Sequence, residues 1–359
     1  GQFIDALQSG KYDPDKVALI LFQTGGGCRA SNYIHLLRKA LEKAGLGRVP
    51  VISLSLAGLE KHPGFQLTLP LIMKMIYGVL YGDLLMTLVN QCKPYELERG
   101  TAQALAERWT DRLAEEMTAG GKASYRYVKA NYRRILEDFA RIPMEKSDKV
   151  KVGIVGEIFV KYSPLGNNNL EQFLVDEGAE AVVPGLLDFC LYCVYNNLLD
   201  RKLYGMQKNV QLAYKIAYQY LVNKERDMID AIREQGRFEP PTLFTHTVSL
   251  VQGTISMGVK MGEGWLLTAE MLELADKGVG NIVCTQPFGC LPNHICGKGM
   301  MKPIKEKNPS VNIVAIDYDA GATRVNQENR LKLMLANARQ RQEAAAQERP
   351  EAAVVGERR

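Results

Sequence analysis

Apolar runs of strand length alternate with helical patterns at the start of the chain. Residues 16–22 (KVALILF) and 49–56 (VPVISLSL) are typical of short buried strands, and residues 28–47 between them carry apolar side chains at helical spacing and close on glycines. This order predicts one strand–helix–strand unit. Residues 66–142 then carry long helical patterns that end before Pro143, and we interpret them as a helical cover.

The same alternation starts again after a charged linker at 144–149. Residues 150–160 (VKVGIVGEIFV) predict a strand followed by a turn, and 169–179 predict a helix that leads into a short apolar run. Further along, the patterns predict helices within 186–235, a loop at 239–250, a helix at 265–278, a strand at 280–286, a helix within 295–307 and a strand at 311–319.

Strands that alternate with helices imply parallel sheets with helices on both faces. The sequence therefore predicts an α/β protein of two domains, residues 1–147 and 148–336, each with a short parallel sheet flanked by helices. Residues 337–359 are polar and lack an apolar face, which predicts a frayed helix or a disordered tail without chemistry.

Composition and charge narrow the classes of partner. The chain has 359 residues, of which 46% are hydrophobic, and its formal charge of +5 is spread without a basic block, so we expect no nucleic-acid partner. The most apolar stretch, 65–90, is interrupted by Lys74, Asp83 and glycines, which favours buried helices over a membrane span. We expect a cytoplasmic protein that has no membrane partner.

Seven cysteines are an odd number in a chain that is long enough to fold without disulfides, which favours reduced thiols or metal ligands. Cys28 follows three glycines between the first strand and its helix, in QTGGGCRASNY. Such a loop could receive a phosphate, although the lysine and hydroxyl of a nucleotide loop are missing, or it could stabilise a thiolate or cluster sulfide. A tight turn around a buried thiol is the structural alternative.

A second group of thiols lies in NIVCTQPFGCLPNHICGKG, residues 281–299, where Cys284 ends a strand and Cys290 and Cys296 follow at equal gaps. Proline and glycine between these thiols predict a loop. The spacing alone leaves three alternatives open: an iron–sulfur cluster, a zinc site with His294 as an added ligand, and inert core. Because ligands of parallel α/β sheets bind beyond the carboxyl ends of strands, both thiol loops are candidate sites.

Two further features are candidates for chemistry. Glu157 and Lys161 follow the strand at 150, so they are acid–base candidates near the same sheet edge, although residues of this kind more often have structural roles. Cys190 and Cys193 form a C-x-x-C pair with apolar flanks, which favours buried core over a redox pair.

Several long motifs of the chain resemble a known family. QTGGGCRASNYIHLLRKAL, VGEIFVKYSPLGNNNLEQFL, AVVPGLLDF and the run from CTQPFGCLPNHICGKG to NRLKLML resemble the C-terminal part of the fused acyl-CoA dehydratase activase proteins. That part is itself similar to the D-component superfamily of 2-hydroxyacyl-CoA dehydratases. The resemblance covers the chain from about residue 10 to about residue 335.

The resemblance implies a [4Fe–4S] or related cluster held by cysteines near a cleft between two α/β domains. Carried over to this sequence, Cys28 and Cys290 become the best ligand candidates, with Cys296 or Cys284 as a third. In the family, an ATP-hydrolysing activase passes an electron to such a cluster, and a 2-hydroxyacyl-CoA is dehydrated through ketyl radicals. The chain has no phosphate loop of the activase ATPase type, so the resemblance places ATP hydrolysis on another segment or subunit.

The resemblance therefore implies an iron–sulfur redox component whose partners are an activase, a related subunit or a second copy, and an acyl-CoA substrate. Two other functions stay open from the sequence. One is a non-catalytic scaffold or electron relay, and the other is a zinc-stabilised α/β binding domain.

Overall fold

The computed structural model describes residues 1–23, 27–54, 67–118, 124–206, 208–319 and 321–356, with the side chains of the last helix described through residue 344. The predicted α/β class with short parallel sheets flanked by helices is confirmed. The strands are β1 (Leu19–Phe22), β2 (Val51–Leu54), β3 (Val150–Gly156), β4 (Ala179–Val182), β5 (Asn281–Pro287) and β6 (Asn312–Tyr318).

Helices make up most of the remaining chain. They are α1 (Gln2–Gln8), α2 (Tyr33–Lys43), α3 (Leu69–Cys92), α4 (Thr101–Thr118), α5 (Tyr125–Ala140), α6 (Ile158–Tyr162), α7 (Leu170–Asp176), α8 (Leu186–Tyr204), α9 (Gln211–Gln235), α10 (Phe244–Val251), α11 (Gly264–Asp276), α12 (Leu291–Cys296), α13 (Met301–Lys307) and α14 (Arg324–Gly356). Short 3₁₀ turns cover Arg29–Asn32, Lys208–Val210 and Lys298–Met300.

The strands form two separate parallel sheets. β1 pairs with β2, and the larger sheet has the order β4-β3-β5-β6. β3 and β5 end side by side, with Gly156 paired to Thr285. Since all four strands of the larger sheet run in one direction, the segments after β3 and β5 emerge at the same edge.

Gly156 is required at the end of β3. Its φ is +142°, and a Cβ there would lie 1.9 Å from the Thr285 carbonyl oxygen. Only glycine allows this approach. The same carbonyl accepts a 2.9 Å hydrogen bond from the Glu157 N–H, which fixes the start of the turn into α6.

Three groups of buried apolar side chains form the interior. One joins β1 and β2 to α1 and α2, and a second packs α7 and α14 on one face of the larger sheet. The third and largest includes side chains of α3, α4, α5 and α8 to α11 together with Val155, Ile282 and Ile313 of the larger sheet. The sequence pattern groups the helices of 66–142 with the first sheet, whereas in the structure α3 to α5 share a core with the second.

The predicted loop at 239–250 is wrong in its second half, where the structure has α10. Phe244, Thr247, Val248 and Val251 recur at helical spacing and are all buried. The prolines at 240 and 241 lie before the helix, and the prediction extended their effect too far.

Two helices, α3 and α14, relate to the predictions about a membrane span and about the C-terminal tail. Among the described residues, only α3 is long and apolar enough by composition to cross a membrane, and 39% of its most apolar window is buried. α14 is anchored by buried Leu331, Met334, Leu335 and Ala338 against the larger sheet, so ordered packing reaches just past the predicted tail boundary at residue 337.

Candidate functional site

Cys290 lies where β5 leaves the larger sheet. Its N–H donates to the Pro287 carbonyl at 3.2 Å, and it occupies the N-cap position of α12. The prediction of a loop between the thiols is wrong after Cys290, because residues 291–296 form this short helix. Pro292 is compatible with it, since a proline in the first helical turn has no intrahelical bond to lose.

Cys28 lies beyond the end of β1 and just before the 3₁₀ turn that leads into α2. Its carbonyl accepts hydrogen bonds from the N–H and the hydroxyl of Ser31, at 3.1 and 2.8 Å. The glycines at 24–26, on which the phosphate interpretation depended, lie outside the described residues.

The two thiol loops meet at the segment before α11. A Cβ added to Gly262 would lie 3.9 Å from the Cys28 Sγ and 3.0 Å from Cγ of Pro292 in α12. A Cβ on Gly27 would similarly lie 3.9 Å from Leu291. The structure thus brings the loop of Cys28 against the helix that begins after Cys290.

Both thiols affect the pKa of Tyr33. The pKa of its hydroxyl is raised by burial first, then by the negative charge of Glu157, and then by Cys28 and Cys290. Arg29 acts in the opposite direction. Glu157 and the two thiols therefore all lie within electrostatic range of the Tyr33 hydroxyl.

Asn293 ties Cys290 to a buried carboxylate. Its amide donates to the Cys290 Sγ at 3.2 Å and approaches Glu263 Oε2 at 3.5 Å, while Glu263 Oε1 accepts the Ile158 N–H at 3.0 Å. Burial raises the pKa of the Cys290 thiol, and the hydrogen bonds from Asn293 oppose that rise. The Asn293 Oδ1 atom is buried and has no hydrogen-bond partner among the described residues, which leaves an acceptor beside the thiol.

Glu157 caps α6 and faces the same site. Its carboxylate accepts the Val160 N–H at 2.9 Å. Burial raises its pKa, the hydrogen bond from Val160 opposes the rise, and the charge of Glu263 adds to it. A carboxyl group of this kind retains a proton at higher pH than an exposed glutamate.

Cys284 and Cys296 are placed differently from Cys290. Both are fully buried, and burial raises the pKa of each thiol to about 12. A Cβ on Gly297 would lie 2.8 Å from the Cys284 Sγ, so this sulfur packs against the backbone after α12. The charge of Cys290 acts on both thiols, and that of Glu263 acts in addition on Cys296.

Lys161 lies within the protein interior. Its ammonium donates to Glu270 Oε1 of α11 at 2.8 Å, and both side chains are less than 5% exposed. Burial is the largest single effect and would lower the pKa of Lys161, but the charges and hydrogen bonds of Glu270 and Tyr162 together outweigh it and raise the pKa. The lysine is a charged link between α6 and α11.

Of the remaining sequence candidates, His294 lies beside Cys290, whereas Cys190 and Cys193 lie on α8. His294 directs Nδ1 to the Cys290 carbonyl at 2.8 Å. Cys190 and Cys193 are partly buried on α8 and pack against the largest core, and burial raises the pKa of both thiols to about 12. Two surface clefts have volumes of about 440 and 500 Å³. One lies on α4 and α5 and the other beside α8, and neither is lined by Cys28 or Cys290.

Within the described ranges, no three His, Cys, Asp or Glu side chains are arranged as they would be around a metal ion. The thiol site is a pair with carboxylates nearby. Comparison of the chain with models of known protein families, with curated proteins and with solved structures finds no match. The likeness to the dehydratase and activase proteins therefore rests on the sequence motifs alone.

Sequence reasoning missed three residues of this site. Asn293 and Glu263 are common surface residue types, and no motif marks their burial beside Cys290. Tyr33 follows Cys28 by a single 3₁₀ turn. Its position five residues after a candidate thiol, at the start of a helix, was the available signal.

Proposed function

We propose that the chain is an iron–sulfur redox component of the 2-hydroxyacyl-CoA dehydratase and activase type, in which Cys28 and Cys290 bind the cluster. The observation that carries the proposal is the meeting of these two thiol loops at Gly262, from the ends of strands in different sheets. The protein would accept a low-potential electron from an ATP-hydrolysing partner and use it in a reductive reaction, such as dehydration of a 2-hydroxyacyl-CoA.

The donor set fits a cluster in part. Cys28 and Cys290 are partly exposed, and sulfur is the ligand that iron–sulfur clusters prefer. Cys284 and Cys296 fit less well, because both thiols are fully buried and the Cys284 sulfur packs against the backbone of Gly297. When bound, such a cluster supplies one-electron transfer at a potential that depends on hydrogen bonds to its sulfurs.

Side chains of this site support the chemistry around that centre. The Asn293 amide donates to the Cys290 Sγ, which stabilises the thiolate form that a ligand must have. Glu157 carries a carboxyl group whose pKa is raised, so it can hold or accept a proton next to the thiols. Asn293 therefore positions the ligand, and Glu157 is the proton-transfer candidate.

The surroundings of Cys290 support docking of a partner. Phe288 and Leu291, on either side of the thiol, are 75% and 55% exposed. Exposed apolar side chains that flank a reactive group are typical of interaction sites. The proposed occupant is the activase, and a related subunit or a second copy would complete the cytoplasmic enzyme.

The two-domain arrangement belongs to the same proposal. Cys28 follows a strand of the two-stranded sheet, and Cys290 follows a strand of the four-stranded sheet. If each sheet is the centre of one domain, the cluster lies in the cleft between them. Ligand sites at the carboxyl ends of parallel strands support this assignment.

Anaerobic purification with iron, acid-labile sulfide and zinc analysis tests the proposal, together with EPR of the dithionite-reduced protein. We expect iron and sulfide in equal amounts and a cluster signal. Zinc without iron would contradict the redox function and favour a zinc-stabilised binding domain.

A turnover assay separates a catalyst from a relay. The cluster-loaded protein is combined with an activase, ATP, a reductant and a 2-hydroxyacyl-CoA. We expect formation of the enoyl-CoA product. A protein that is reduced by the activase but gives no product would be an electron relay or scaffold.

A further inference from the structure

A second surface, distant in sequence from the thiols, combines exposed apolar side chains with basic ones. It is formed by the first half of α3, the end of α8 and the start of α9, and we name it the apolar–basic face. Its exposed apolar members are Leu67, Leu69, Ile72, Met75, Leu203, Tyr204, Met206, Val210, Leu212 and Ile216. Exposed Leu212 and Leu69 are each 71% accessible.

The two long helices bring these residues to one end of the helix pair. The Tyr77 hydroxyl of α3 lies 3.4 Å from the Tyr220 hydroxyl of α9, and Gln91 donates to the Glu239 carbonyl at 2.8 Å just beyond α9. From the first contact to the second, the residue numbers increase in both segments, so α3 and α9 run in parallel. The exposed residues that precede Tyr77 therefore lie at the same end of the helix pair as those that precede Tyr220.

Charge distinguishes this face from an ordinary apolar patch. The sequence has no Asp or Glu in 67–82 or in 201–224. Arg201, Lys202 and Lys215 are exposed there. A cleft of about 500 Å³ adjoins the face, includes Lys202 and Leu203 in its lining, and has no acidic side chain in that lining.

We propose that the apolar–basic face docks on the surface of an anionic phospholipid membrane. Leucine, isoleucine and methionine would enter the interface, while lysine and arginine would contact lipid phosphates. Lying on a membrane does not need an uninterrupted span, so Lys74 and Asp83, which disfavour a transmembrane segment, do not oppose it.

A second copy is a poorer occupant. Two identical faces that pair about a twofold axis would bring the same basic residues close together, without acids of the face to balance them. An anionic membrane matches both the apolar and the basic members.

Vesicle flotation of the full chain tests this proposal. The probes are vesicles of phosphatidylcholine alone and vesicles of phosphatidylcholine with phosphatidylglycerol. We expect binding only to the anionic vesicles, and we expect added salt to reverse it because charge screening weakens the lysine and arginine contacts.

The variant Leu212→Gln/Ile216→Gln should bind anionic vesicles at least about tenfold more weakly, because it removes two apolar side chains from the interface. The matched control is Leu333→Gln on α14, where a leucine is 65% exposed outside the face; it should bind as the parent does. Circular dichroism verifies that each variant is folded.

Three results would overturn the proposal. They are failure of the parent to float with anionic vesicles, equal loss in the Leu333 control, and a dimer in light scattering that Leu212→Gln/Ile216→Gln converts to a monomer. The last result would assign the face to a second copy. None of them depends on a cluster at the thiols, so the proposed redox function would be unaffected.

Discussion

The side-chain amide of Asn293 donates a hydrogen bond of 3.2 Å to the sulfur of Cys290, three residues before it in the chain. Asn293 is fully buried, and its other contact is to Glu263, the residue that precedes α11. The thiol is thus connected to the helix that crosses the core behind it. This hydrogen bond favours the thiolate of Cys290, whereas the charge of Lys298 is what favours the thiolate of Cys284.

Replacing that donor should raise the pKa of the Cys290 thiol. In a Cys28→Ser background, Asn293→Leu keeps the side-chain volume but removes the N–H donor, and we expect a rise of about one pKa unit. The measurement is the pH dependence of the alkylation rate, because the thiolate is the reactive form. Ile295→Ala on the same helix is the control, and an unchanged or lower pKa in Asn293→Leu would contradict the role of Asn293.

The buried pair Lys161–Glu270 should be costly to break. Lys161→Met leaves Glu270 as an uncompensated charge in the core, and we expect a loss of about 3–5 kcal/mol in the free energy of unfolding. Glu270→Leu added to Lys161→Met should recover much of that loss. Denaturant titration provides the measurement, and Arg133→Met, which removes a mostly exposed pair with Glu234, should cost less than about 1 kcal/mol. Equal losses of unfolding free energy in Lys161→Met and Arg133→Met would refute this account.

Stability should fall as the pH rises toward about 8. Burial raises the pKa of Glu225 to about 8, and burial with the charge of Glu225 raises that of Asp188 well above its ordinary value. Between the unfolded pKa near 4 and the folded value, the folded state binds more protons than the unfolded state, so stability decreases with pH.

The variant Glu225→Gln tests this dependence because it cannot ionise. Relative to the parent, its free energy of unfolding should improve on the order of 2 kcal/mol between about pH 5 and about pH 8. The exposed residue Glu234 serves as the control, and Glu234→Gln should follow the parent curve. Parallel curves for Glu225→Gln and the parent would mean that Glu225 is ionised in the folded protein.

Gly156 should be intolerant of any side chain. Gly156→Ala places a methyl group against the Thr285 carbonyl and at positive φ, and we expect a loss greater than about 3 kcal/mol in the free energy of unfolding. Gly78→Ala, in the interior of α3 where the added methyl meets open space, should be neutral or stabilising by up to about 1 kcal/mol. Thermal unfolding of the two variants gives the comparison, and similar midpoints would show that β3 can move away from β5.

Periodicity was sufficient to predict the strands and most helices, because their buried faces depend on local spacing. β5 and β6 are short, largely apolar runs bounded by turns in the sequence. α11 carries apolar residues over most of its length. α10 was missed because two prolines precede its apolar face. The grouping of α3 to α5 with the second sheet depends on long-range packing, which no local pattern contains.

The site was predictable only where residue type marks chemistry. Cys28 and Cys290 could be proposed because thiols at strand ends have few common roles. The buried environment of Asn293 and the pairing of Lys161 with Glu270 depend on how α12, α6 and α11 approach each other in space. The difference between Cys290 and Cys284 likewise follows from which side of β5 and α12 each sulfur faces.

The most direct test of the central claim is the iron and sulfide content of single cysteine variants after anaerobic reconstitution. We predict that Cys28→Ser and Cys290→Ser each lose most of the cluster iron and its EPR signal, whereas Cys190→Ala on α8 retains both. Full cluster content in either serine variant would contradict the assignment of the Cys28 and Cys290 pair as the cluster site.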